Sequence, residues 1–198
     1  MGLFGFSNET GTAIQKGFHK LADRYCEKHR HYHTLNHVND CLTHLDDVSD
    51  YLIDLRAVEI ALWFHDVIYD PKKNDNEKMS SEYAKAFLRS INMASDVISQ
   101  IAHLVALTKH PSFPETNDEK YLIDIDLAIL AADKEHYDRY ESCIRREYQF
   151  VPSFLYKRGR KKILMSFAKS DRIYWTDLFH DKYENQARDN LKRAIADL

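Results

Sequence analysis

Few residues in this sequence interrupt a helix. Among 198 residues there are five Gly and four Pro, and no stretch alternates apolar and polar residues cleanly enough for a strand, so a series of helices joined by short loops is expected. No apolar run approaches the roughly 20 residues that span a bilayer, which leaves a membrane out of the expected partners. Cysteine is scarce as well. Cys26, Cys41 and Cys143 are odd in number and show no CxxC spacing, which argues against a disulfide framework and against a Cys-based zinc site. Reduced, mostly buried thiols in a cytoplasmic protein are the expectation. An excess of positive charge is also missing: 28 Lys and Arg face 31 Asp and Glu, for a net charge of −3. No global field is then available to gather a nucleic acid polymer. The segment Met1 to Gly11 carries Phe4 and Phe6 but no basic start, long apolar run or small-residue cleavage site, and is not expected to act as a secretory signal.

What is present is the balance of a soluble globular protein, 44% hydrophobic and 30% charged. Nothing in the composition marks a break, so residues 1–198 are read as a single all-α domain. Ile14, Phe18, Leu21 and Tyr25 form one amphipathic stripe, and Leu35, Val38, Leu42 and Leu45 a second, with Thr34 as its N-cap. A helix from about Asp54 to Tyr69 is apolar on nearly every side and is expected to be central. Pro71 and the polar run after it end that helix, and another starts at about Glu77. Ser95 is expected to cap the next, Tyr121 to Ala131 forms a further apolar helix, and Asp133 caps a charged one reaching about Gln149. Val151-Pro152-Ser153 marks the next boundary, and two or three helices follow.

Eleven His is the unusual count, and His29, His31, His33, His37 and His44 crowd one short stretch. His33 and His37 are four apart, so a helix through both would place them on one face. His37 also borders the apolar stripe through Cys41, Leu45 and Val48, which lets its imidazole face inward. His65-Asp66 sits between Trp63-Phe64 and Val67-Ile68, so at least one of these polar side chains points into apolar surroundings. Burial there is costly unless the group is paired or holds a metal. Asp124 and Asp126 are embedded in Leu122 to Leu127 under the same constraint. Asp126 shares its face with Leu122, Ile129 and Leu130, and is the better candidate for the interior. Together His37, His65, Asp66 and Asp126 offer two imidazoles and two carboxylates for one divalent ion, drawn from Mn, Fe, Co, Ni, Mg or Zn, with positions left open for water and substrate.

This set, carried by Tyr32-His33-Thr34-Leu35-Asn36-His37, Trp63-Phe64-His65-Asp66 and Asp124-Ile125-Asp126-Leu127, resembles the HD superfamily of metal-dependent phosphohydrolases. The resemblance implies an HD-domain helical bundle with its motif core at about residues 30–130 and additional C-terminal helices at about 131–198. The first segment is similar to that of the cyclic nucleotide phosphodiesterase branch, which implies that His37 binds metal and His33 donates a proton. Asp75-Asn76-Glu77, Thr108-Lys109-His110-Pro111 and Tyr156 to Arg160 resemble a subfamily of small single-domain HD phosphohydrolases. Where HD nucleotidases carry a Glu three residues after the His-Asp pair, this chain has Tyr69, so a catalytic carboxylate falls to Asp70 or Glu77. Their bland roles are to stop one helix and to start the next.

His103 and His110 are candidates for a second metal, but their spacing fits poorly and a mononuclear site is preferred. Lys157 to Lys162 is the most basic run. A solvated helix start is its ordinary role, while Arg158 and Arg160, with Lys109, are the candidates for gripping a phosphate. The expected activity is hydrolysis of a phosphate ester in a small metabolite, a nucleotide or related mono- or diester, with Asp66 helping to orient the nucleophile. Two rivals are a dinuclear iron oxygenase on the same fold and a non-catalytic nucleotide-sensing module. A homo-oligomer is compatible with any of these readings.

Overall fold

The computed structural model describes residues 8–111 and 113–198, with residues 8–14 described through their backbone alone. The expected non-signal segment before residue 8, with Phe4 and Phe6, and the side chain of Ile14 lie outside the described residues. Among those described, nine α-helices and no strand occur: α1 Asn8–Tyr25, α2 Leu35–Asp47, α3 Leu55–Phe64, α4 Asn76–Ser90, α5 Ser95–Leu107, α6 Asn117–Asp126, α7 Lys134–Glu147, α8 Ser153–Ala168 and α9 Asp177–Asp197. No described helix is long and apolar enough to cross a membrane. The protein is thus all-α.

Helix α3 packs against α2, α4, α5 and α6, while α9 packs on α8 and on the 3₁₀ turn Leu127–Ala131. Ala57, Val58, Ala61 and Leu62 of α3 are buried, as the sequence pattern requires of a central helix. Caps set most starts. Thr34 accepts from Asn36 N, Asp54 from Ala57 N, Asp133 from His136 N and Thr176 from Phe179 N. Thr116 and Glu119 form a capping box that starts α6 four residues before Tyr121, earlier than the apolar run suggests. Ser95 is not a cap. It is the first residue of α5, and the cap position belongs to Ala94, which makes no side-chain bond.

The expected helix from Asp54 to Tyr69 ends at Phe64. His65 Nδ1 occupies the Leu62 carbonyl at 2.7 Å. The buried guanidinium of Arg30 takes the carbonyls of Asp66 and Val67 at 2.7 and 3.0 Å. Ser80 and Asn76 bond the amides of Ile68 and Asp70 at 3.0 Å each. Side chains therefore satisfy backbone groups that a continuing helix would have paired. The apolar helix of Tyr121 to Ala131 likewise breaks into α6 and the 3₁₀ turn after Asp126.

Asp124 is fully buried and accepts from Trp175 N, Thr176 N and Thr176 Oγ1, each at 2.7 Å. It fastens the start of α9 to α6, although burial pushes its carboxyl up to about 6. Asp124→Ala strands two buried donors and one half-buried one, and is expected to cost roughly 3 kcal/mol, read as a lower urea midpoint at neutral pH. A loss under about 0.5 kcal/mol would show that water replaces this clamp.

Candidate metal centre

His37 comes from the first turn of α2, His65 and Asp66 from the turn just past α3, and Asp126 from the last residue of α6. His65 and Asp66 therefore project from a helix end, not from adjacent positions within a helix. His37 Nε2 lies 3.0 Å from His65 Nε2 and 3.2 Å from Asp126 Oδ1. His65 Nε2 lies 3.1 Å from Asp66 Oδ2 and 3.5 Å from Asp126 Oδ1, and Asp66 Oδ2 is 3.7 Å from His37 Nε2. Donor atoms about 2.1 Å from one ion are separated by about 3.0 Å at right angles and about 3.4 Å in a tetrahedron. Spacings of 3.0 to 3.5 Å fall close to those edges, and the Asp66–His37 separation of 3.7 Å is somewhat longer.

Tautomers point the same way. The Leu62 carbonyl can only accept, so His65 Nδ1 carries a proton and donates, which leaves Nε2 to turn its lone pair toward the cluster. Such a backbone-oriented imidazole is the usual outer support of a metal-bound His. Tyr32 Oη is 3.0 Å from His37 Nδ1 and orients the second ring. Two imidazole nitrogens 3.0 Å apart beside two carboxylates need a cation between them. Without a metal, that cation is a proton. Burial lowers His65, but Asp66 and Asp126 outweigh it and hold the imidazole well above its ordinary range. Burial likewise would raise both carboxyls, yet the imidazoles of His65, His33 and His37 hold Asp66 below the usual range, and those of His110, His37 and His65 do the same for Asp126.

Cys41 belongs to the same buried group. Donor atoms of His37, Cys41, His65 and Asp126 all lie within 4.8 Å of one another, and this cluster can hold a metal ion. The sequence argued against a Cys-based metal site and for mostly buried thiols; sulfur is instead within reach of the cluster, Cys26 is exposed and Cys143 only half-buried. Asp66 competes with Cys41 for the fourth place. Its oxygen is closer to the imidazole nitrogens, and it is ionised, whereas burial and the adjacent Asp126 and Asp66 push the Cys41 thiol well up.

The other sequence candidates divide. His33 lies before α2 and not on its face, held by backbone and side-chain bonds to Glu147. The carboxylate of Glu147, 2% exposed, accepts from the amides of His31, Tyr32 and His33 at 2.7, 2.7 and 3.1 Å, from His33 Nδ1 at 2.7 Å and from Tyr69 Oη at 2.7 Å. His33 stacks on Tyr69, ring centroids 4.1 Å apart. Together with Asp66, Glu77 and Arg160, it lines a cavity of about 470 Å³. Asp70 does not reach that cavity; its carboxylate accepts from Lys72 N in a turn. Lys109 donates to the Asn74 carbonyl at 2.6 Å, and Arg158 is exposed on α8, so neither lines the cavity. Arg160 does, but it sits inside α8, and its fork is taken by Glu141 at 2.7 and 3.0 Å. The basic run is therefore not a helix start. His103 is exposed and paired with Glu119, whereas His110 Nε2 reaches Asp126 Oδ2 at 3.2 Å.

Sequence reasoning missed Arg30, Tyr32 and Glu147. Glu147 has no signal in a strongly charged helix; only its burial marks it. Tyr32 opens the motif segment itself, and only its bond to His37 went unread.

In comparisons with protein families, curated proteins and solved structures, nothing matches the chain.

Asp126→Asn is expected to weaken Co²⁺ or Mn²⁺ binding by at least about 10-fold, and His65→Ala to abolish it, while Asp124→Asn retains it. Titration calorimetry separates these outcomes. Equal loss in both Asp variants would remove Asp126 from the ligand set.

Glu147 supplies a pH test. Burial raises its carboxyl, but His33 and the donated amides outweigh that and bring it from 4.5 down to about 2. A depressed carboxyl stabilises the fold above its unfolded value and loses that contribution as pH falls through the folded one. The window is therefore pH 4.5 to 2, and the amount is up to about 3 kcal/mol. Glu147→Gln should be less stable at pH 7 and show a flatter acid limb. Parallel wild-type and variant limbs in denaturant titrations would refute the assignment.

Proposed function

We propose that the chain is a metal-dependent phosphohydrolase of the HD type, acting on a phosphate ester of a small metabolite. One observation carries the reading: two imidazole nitrogens and two carboxylates stand at ligand spacing, and Asp66 of that set shares the wall of a 470 Å³ cavity with His33. The resemblance of the three motif segments to HD proteins supports the same chemistry. His37, His65, Asp66 and Asp126 would hold the ion, which when bound supplies an activated water and polarises a phosphoryl oxygen.

His33 is the proton donor in this reading. Its Nδ1 faces Glu147, so Nε2 is the atom left to protonate the leaving oxygen. Burial lowers this imidazole, and Asp66 with Glu147 outweigh burial, so the protonated form persists above the ordinary range. Glu147 fixes the ring and Tyr69 supports its face. Hydrolysis would then form a P–O bond from water and break the ester P–O bond, the alcohol leaving with the His33 proton while the water's proton goes to solvent, from which His33 is reprotonated.

A second reading has one observation behind it. Asp126 turns Oδ1 to His37 and His65 and Oδ2 to His110, the posture of a bridging carboxylate. Two ions per chain with oxygen consumption would favour the dinuclear oxygenase.

Purified protein assayed for phosphate release across Mn, Fe, Co, Ni, Mg and Zn tests the main reading, and turnover with at least one is expected. His33→Ala should keep metal content while kcat falls by about 10²- to 10⁴-fold. Lost metal with unchanged kcat per bound ion would reverse the roles of His33 and His37.

A further inference from the structure

Gly159 is the seventh residue of α8, in the interior of a 16-residue helix. Glycine there destabilises a helix relative to alanine, so a reason is required. Neither usual reason applies. Its φ is not positive, and a Cβ added at Gly159 would meet nothing within 4 Å. No neighbour demands the missing methyl group, and the open space beside it belongs to the 470 Å³ cavity.

Leu155 and Ile163 stand one turn before and one turn after Gly159, on the same face and lining the same cavity. They are 48% and 50% exposed, high for large apolar side chains. Ile144 and Val151 continue the wall from α7 and the α7–α8 link. Several polar groups around this wall are already committed. Arg160 donates to Glu141 and Tyr140, both amide atoms of Asn76 bond the backbone of Asp70, and Tyr69 Oη donates to Glu147. Lys73 is the cation among the described residues that lines the cavity without a partner.

From this wall we infer that Leu155, Gly159 and Ile163 form an apolar slot for the leaving group. The substrate is then the phosphomonoester of a bulky, uncharged alcohol, aryl or branched alkyl, and not a nucleoside polyphosphate. The inference rests on the phosphohydrolase reading and narrows it away from the nucleotide expected above. One free cation matches one phosphate group; a polyphosphate chain needs several. On the α8 side the wall is aliphatic and its Arg160 and Tyr140 are already bonded, so that side offers little to a sugar or a nucleobase edge and favours apolar surface, while Asn74, Glu77, Tyr148 and Tyr156 line other parts of the cavity.

The test compares 1-naphthyl phosphate, glycerol 3-phosphate and ATP under the metal that gives turnover. Wild type is expected to prefer the naphthyl ester to glycerol 3-phosphate by at least about 10-fold in kcat/KM. Gly159→Leu fills the slot and should lower that ratio by at least about 10-fold, with Gly159→Ala between the two and a Tm equal to or above wild type. Preference for ATP, or equal loss on both monoesters, overturns the slot. If wild type hydrolyses no ester with any metal, the phosphohydrolase reading fails separately. The slot is then judged by equilibrium binding of 1-naphthyl phosphate, followed by its own fluorescence. Binding weakened by Gly159→Leu supports it, and absent or unweakened binding overturns it.

Discussion

The Arg30 guanidinium holds together the two chain segments from which the site is built. Its side chain has no exposed surface. It donates to the carbonyls of His33, Asp66 and Val67, pairs with Glu27, and lies over the rings of Tyr25 and Tyr69. A planar fork with five donors can serve three carbonyls and a carboxylate at once, which a lysine cannot. Because Arg30 takes the carbonyls after His65, α3 stops where it does. The His-Asp pair then leaves the helix end toward α2 and α6 instead of wrapping around a helix. The same residue fixes the backbone of His33, so the candidate metal cluster and His33 share one anchor.

That anchor positions a cluster whose charges are unfavourable without a cation. Two carboxylates side by side would repel each other, and the upward displacement of His65 with the downward displacement of Asp66 and Asp126 puts a proton on the imidazole as the balancing charge. A divalent ion resolves that repulsion with fewer compromises than a proton, since each donor keeps its preferred tautomer. The choice between Asp66 and Cys41 is a choice of metal hardness. Two carboxylates favour Mn, Fe or Mg, while recruitment of the thiolate would favour Zn or Co.

Much of the helix plan was legible because apolar periodicity and the caps at Thr34 and Asp133 act locally. The errors fall where side chains distant in sequence override the local pattern. Arg30 and Ser80 end α3 early, and no count of apolar residues between Asp54 and Tyr69 contains that information. His33 was placed on the face of α2 by spacing, whereas Glu147, more than a hundred residues away, holds it in the preceding turn. Helix phase misjudged burial here: Asp126 was the better candidate for the interior, yet Asp124 is fully buried and Asp126 is partly exposed, its carboxylate turned to the His cluster. Helix phase could not show that Asp124 is occupied by the start of α9, because that partner comes from the chain's far end. The basic run misled for a related reason: charge density shows in a sequence, but neutralisation of Arg160 by Glu141 does not.

The same logic explains how a cavity beside such a polar centre comes to have an apolar wall. Arg160 and Tyr140 enter it as polar residues, and the bonds between them and to Glu141 turn their polarity inward. What they present to a ligand is chiefly the face of a ring and a methylene stem. Specificity on the α8 side would then come from shape, since Arg160 and Tyr140 are already paired there. In a wall read by shape, a single missing side chain matters more than an added charge. With the slot inferred above, selectivity would fall to Gly159, the one position on that helix face with no side chain, and the cationic residues exposed beside it on α8 would bear little on which ester enters.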